Sequence, residues 1–140
     1  MTKDDGLLDG IYLNSMDETP AMRVIRGFMA FELVALAAAA LVHFGVLFSG
    51  LEHWRAGTAE SVLATVLLLG LLLTWIRPTS ARTAGITAQA VALLGTLVGL
   101  FTVAIGIGPR TVPDVTYHVG MVLLLIVGIL SAIRSREIGV

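Results

Sequence analysis

Ala84–Ile107 reads AGITAQAVALLGTLVGLFTVAIGI, a run of 24 residues without a charge. As a helix it covers about 36 Å, enough to cross the ~30 Å hydrocarbon layer of a bilayer. Within it Gln89, Ala92, Thr96, Gly99 and Val103 recur at helical spacing and form a small-and-polar stripe. Gly95 and Gly99 add a small-xxx-small pair, which lets helix backbones approach closely in lipid. The run therefore predicts a membrane-spanning helix with one face turned toward protein, either a neighbouring helix or a second copy of the chain.

Three further apolar runs surround it, at about Phe28–Phe48, Ala59–Ile76 and Val115–Ile133. Hydrophobic residues make up 56% of the 140-residue chain, charged residues 14%, and mean hydropathy is +0.91. Soluble domains average about 45–50% apolar and about 25% charged. The expected fold is all-α: a polytopic integral membrane protein of four transmembrane helices in an antiparallel up-down bundle. Residues 23–140 form that bundle, with short loops between antiparallel neighbours.

The basic residues suggest an orientation. Lys3, Arg23, Arg26, Arg77, Arg82, Arg134 and Arg136 fall on one side of the predicted membrane, and only Arg55 and Arg110 on the other. The positive-inside rule then puts both termini in the cytoplasm, in a plasma membrane of bacterial inner-membrane type. Trp54 and Trp75 fit the two interfacial belts. Residues 1–22 carry Lys3 against Asp4, Asp5, Asp9, Asp17 and Glu18. They read as an acidic cytoplasmic tail, either an extended leader or a short amphipathic helix ending before Pro20. Met1–Gly10 does not read as a secretory signal, so the first span is expected to serve as an uncleaved insertion signal.

Composition also excludes some chemistry. The chain has no cysteine, so thiol catalysis, disulfides and thiolate metal sites are out. Net charge is −1, which gives no electrostatic footprint for a nucleic acid. No Ser/His/Asp set, phosphate loop or metalloprotease spacing appears, so an enzyme is not expected. No aligned motif joins the two halves, so an inverted repeat is not indicated.

The polar residues inside the runs carry what functional signal there is. Glu32 and His43 lie eleven residues apart, about three helical turns, and share a face with Leu36 and Ala39. An ionisable side chain in a span usually faces the bundle interior, which makes Glu32 and Gln89 candidates for an intramembrane polar or proton path. Alternatively Glu32 sits near the cytoplasmic interface and reaches Arg23, Arg26 or Arg82. The Ala-rich face around Ala39, with Gly95 and Gly99, is the expected packing face.

Toward the outward side, Thr58 is the expected N-cap of the second span, with Glu60 in its first turn. Thr111, Pro113 and Asp114 read as the start of the fourth span. Asp114 and His118 are four apart on one face. His43 is expected about two turns below the outer end of the first span, satisfied by a backbone carbonyl or by Thr96. Imidazole and carboxylate together are a ligand set for a transition metal, so His43, Glu60, Asp114 and His118 form a candidate metal site. His43 and His118 are also candidate haem ligands, though their expected depths differ.

Three functions follow. The first is a non-catalytic subunit or interaction protein, packed in a homo-oligomer or a larger membrane complex. The second is a small transporter or channel for protons, metal ions or small cations. The third is a metal- or haem-binding membrane protein using the outward cluster.

Overall fold

The computed structural model describes residues 19–108 and 110–135. The acidic tail and Arg136 lie outside the described residues. Four helices dominate: α1 (Pro20–His43), α2 (Trp54–Ile76), α3 (Ala81–Ala104) and α4 (Val112–Arg134), with a 3-10 turn at Pro78–Ser80 between α2 and α3. No strand occurs among the described residues. All four helices are long and apolar enough to cross a membrane. The chain is thus an all-helical protein of multi-pass membrane type.

The helix bounds differ from the hydropathy runs where local chemistry outweighs apolarity. α1 begins at Pro20 rather than Phe28. Thr19 caps it, its hydroxyl accepting from the Met22 N–H at 3.3 Å, and Pro20 needs no intrahelical donor at the first position. α1 ends at His43 rather than Phe48, because Gly45 takes the left-handed backbone (φ +73°) that terminates helices. His43 is therefore the last residue of its helix, not two turns inside it. Gly106 (φ +85°) ends α3 in the same way, and α3 closes at Ala104 rather than Ile107.

α2 begins at Trp54, one turn ahead of the expected start. Its cap is His53, whose Nδ1 accepts from the Ala56 N–H at 3.3 Å. Thr58 instead lies inside the helix and donates to the Trp54 carbonyl at 2.8 Å. Glu60 consequently sits in the second turn, where the charge of the helix end does not explain it. α4 starts as its sequence indicates, with Thr111 accepting from the Asp114 N–H at 3.3 Å and proline in the first turn.

Each helix packs on its chain neighbours, and α1 also packs on α4. Met29, Leu36, Leu67, Ala92 and Leu125 are almost fully buried between them. Glycines set the close approaches. A Cβ at Gly70 would overlap the Ala88 side chain, so α2 and α3 nearly touch there. Gly85 lies under Ile25 of α1 in the same manner. The outer faces are the reverse of a soluble surface: Phe31 is 64% exposed, Leu94 65% and Leu123 59%. Apolar area this continuous is a surface for lipid.

Arginines fasten one end of the helix set. Arg26 donates to the Thr74 carbonyl at 2.6 Å and to its hydroxyl at 3.1 Å, and its guanidinium lies 4.2 Å from the centre of the Trp75 ring. Arg82 donates to the Ala132 and Ile133 carbonyls at 3.1 and 2.8 Å, capping the last turn of α4. At the other end lie the 44–53 and 105–111 links.

Candidate functional site

The links bring the polar residues at this end together. The His53 N–H donates to the His43 carbonyl at 2.8 Å, closing α1 onto the start of α2. Two turns into α2, Glu60 then faces the His43 ring. His43 Nδ1 lies 2.7 Å from Glu60 Oε2, and Nε2 lies 3.3 Å from Asp114 Oδ1. One imidazole thus bridges two carboxylates drawn from α2 and α4. It can donate to both only with a proton on each nitrogen. Asp114 is held in turn by the Thr111 hydroxyl, which donates to Oδ2. Neither a backbone carbonyl nor Thr96 partners the His43 ring. Thr96 donates back to the Ala92 carbonyl at 2.9 Å.

His118 joins this group through the backbone. Its Nδ1 lies 2.8 Å from the Asp114 carbonyl, an acceptor only, so Nδ1 carries the hydrogen. In the neutral ring Nε2 is then an acceptor. Nε2 faces Gly99, where an added Cβ would come within 3.0 Å. Gly99 therefore makes room for an imidazole, and Gly95 makes room for Leu63. Both glycines of the small-xxx-small pair are used inside this chain. Ala39 is half-buried beside the fully enclosed Leu36 and Ala40.

A cavity of about 230 Å³ opens between α2, α3 and α4 at this end. Glu60, Thr96, His118 and the buried Leu36 line it, together with the half-buried His53 and the exposed Arg55. Glu60 is only 5% exposed, and its Oε1 has no protein partner. The Tyr117 hydroxyl, also lining the cavity, is buried without a partner as well.

A second polar node lies deeper. Glu32, on α1 one turn from Leu36, is fully buried, and neither of its oxygens has a protein partner. Neither Arg26 nor Arg82 satisfies those oxygens. Gln89 of α3 spends its amide on the Gly85 carbonyl at 3.2 Å and leaves Oε1 without a donor. Both Glu32 Oε1 and Gln89 Oε1 crowd the space a Cβ at Gly128 would fill. Gly128 was not singled out from the sequence. Its signal was its register, since Met121, Leu125, Gly128 and Ala132 follow one stripe of α4.

Among the described residues, no three His, Asp or Glu side chains converge as metal ligands would. His43 has both ring nitrogens facing carboxylates, which leaves neither for an axial bond to a haem iron in this arrangement. The cluster is arranged for hydrogen bonding and charge. Outside the helices, Glu52 accepts from the Gly50 N–H with both oxygens at 2.9 Å, and this bond holds its carboxyl below the ordinary range. That contact tightens the 44–53 link under the site.

Comparison with known protein families, with curated proteins and with solved structures finds no match.

Proposed function

We propose that this chain is a small membrane transporter for a cationic or proton-donating solute. One observation carries the reading: four buried oxygens that can only accept a hydrogen bond when ionised or amide-borne have no protein donor. They occur at two levels, Glu60 Oε1 beside the cavity and Glu32 Oε1, Glu32 Oε2 and Gln89 Oε1 below it. Ionisable groups inside a span are expensive and mark solute or proton pathways far more often than they serve packing. A bundle that only had to pack would place apolar side chains at these positions. These oxygens lack a donor in the observed arrangement, and a proton or cation supplies one.

The residues between the two levels suggest a gate. Leu36 lines the cavity and stands one helical turn, about 6 Å, from Glu32. Leu67, Ala92 and Leu125 belong with Leu36 to the same buried apolar cluster. In this reading the chain is an up-and-down antiparallel bundle with both termini in the cytoplasm and the cavity facing outward. The membrane is then a plasma membrane of bacterial inner-membrane type. The interaction reading drew on Gly95 and Gly99 as an outer face, whereas those positions accommodate Leu63 and His118.

Proteoliposomes loaded with a pH-sensitive dye test the proposal. Adding K⁺, Na⁺ or methylammonium outside should change the internal pH faster than in empty liposomes. Glu32→Gln should abolish the change, and Leu36→Ala should raise the passive proton leak by joining the two levels. Rates equal to empty liposomes for every cation would overturn the reading.

A further inference from the structure

We infer that the cavity beside Glu60 binds a primary ammonium carrying a short apolar chain. This names the solute for the site proposed above and rests on that reading for its transport, though not for its binding.

The argument is an account of donors and acceptors. Glu60 Oε2 is engaged by His43, so Oε1 is the carboxyl oxygen left for the cavity. His118 donates through Nδ1 and offers the Nε2 lone pair. The Thr96 hydroxyl hydrogen goes to the Ala92 carbonyl, and the Thr102 hydrogen goes to the Gly99 carbonyl at 2.7 Å. Both threonine oxygens therefore present only lone pairs. Tyr117 can give or take. The interior is acceptor-rich, and at least two of its acceptors belong to side chains more than nine-tenths buried: Glu60 at 5% and His118 at 8% exposure. A ligand suited to it brings several hydrogens on one atom.

Charge narrows the class. Glu60 and Asp114 share a single imidazole between them. Even a doubly protonated His43 balances one of the two carboxylates. Neither nearby arginine bonds this pair: Arg110 donates to the Val103 carbonyl at 2.9 Å and to the Ala104 carbonyl, and Arg55 is exposed. With both carboxylates ionised, the hydrogen-bonded trio itself stays net negative, which favours a cationic solute.

The walls narrow it again. Leu36, Leu63, Val98, Val103 and Ile107 surround the polar end. Such side chains cannot replace the water shell of a bare metal ion, and no third His or carboxylate joins to do so. A quaternary ammonium has no N–H for Glu60 or His118. An alcohol has one donor and no charge. A primary ammonium has three donors, a positive charge and an apolar tail for the walls. A dry cavity of ~150 Å³ holds benzene, so this one accommodates roughly nine non-hydrogen atoms.

The test uses purified full-length protein in detergent, titrated with n-butylammonium, tetramethylammonium, K⁺ and 1-butanol while melting temperature and binding heat are followed. Butylammonium should raise the melting temperature and bind at least about tenfold more tightly than butanol, the factor expected of one charged hydrogen bond. Glu60→Gln should remove that preference. Because Glu60 also holds His43, Ala59→Phe serves as the second variant. Ala59 lines the cavity from an exposed helix face, so the larger ring fills the space without entering the core. Ala59→Phe should melt like the parent and lose the butylammonium effect. Equal binding of butanol, no binding of butylammonium, or stabilisation that persists in Ala59→Phe would each overturn the inference. Flux separates the two proposals: amine binding without flux removes transport and keeps the site. Cation flux that neither butylammonium nor Ala59→Phe alters keeps transport and removes the amine.

Discussion

His43 is the residue on which the cavity end of the helix set turns. Its ring is nearly fully buried and joins α1 to carboxylates of α2 and α4. Removing one partner from a buried charged group costs about 3–5 kcal/mol, because the remaining charges stay enclosed. His43→Phe should therefore destabilise the protein by about that amount in a detergent unfolding assay. Asp114→Asn should cost less, since Thr111 still caps the helix. Glu52 gives a pH dependence of known sign. Its carboxyl is held below the ordinary value by the Gly50 N–H, so the ionised form is favoured in the folded link. The contribution is present above the ordinary carboxylate pKa of about 4.3 and is lost as pH falls through the lower folded value. The Gly50 amide resonance should shift in that acid window in the parent and stay fixed in Glu52→Gln. Sequence alone placed Asp114 correctly, because Thr111-Val112-Pro113-Asp114 is a helix start by local chemistry. It misjudged Glu60, because a competing cap at His53 moved the start of α2, and the imidazole acting as that cap is not a residue type that advertises the role.

At the scale of the helices, glycine spacing sets how close the rods lie. Gly70 faces the Ala88 methyl, which has no rotamer to change, so a new Cβ must push α2 from α3. Gly95 faces the flexible end of Leu63. Gly27 and Gly120 face nothing within 4 Å. Gly70→Ala should cost about 1–3 kcal/mol by overpacking, and Gly95→Ala less. Gly120→Ala should be neutral or stabilise by up to about 1 kcal/mol through helix propensity. Melting the three variants side by side checks the order. The existence of each helix was legible from apolar run length, and the buried stripe of α3 was legible from Gln89, Ala92, Thr96 and Val103. The ends of α1 were not, because Gly45 and Pro20 act through backbone geometry that hydropathy does not register. Grouping His43 with Glu60 and Asp114 followed from their common level, but the bridging of both carboxylates by one ring did not. That bridging depends on the path of the 44–53 link, and no periodicity encodes a path.

The described residues form an apolar shell around a core that holds polar groups at several levels. Exposed Phe, Leu and Val surround a core that includes the buried polar residues Arg26, Glu32, Gln89, Thr96, His43 and Glu60. The chain contains no cysteine, so single-cysteine labelling reports orientation without background. In intact cells Ser49→Cys, in the exposed 44–53 link, should react with a membrane-impermeant maleimide. Ser80→Cys should react only after permeabilisation. The reverse pattern would invert the bundle and aim the cavity at the cytoplasm. Arg26 has a further bearing on how the shell is assembled. It clasps Thr74 at one end of α1 and α2, while His43 grips Glu60 at the other. This pair is latched top and bottom by groups it already owns before α3 and α4 emerge from the ribosome, so the nascent protein can dock its first half in the lipid while the second is still being made.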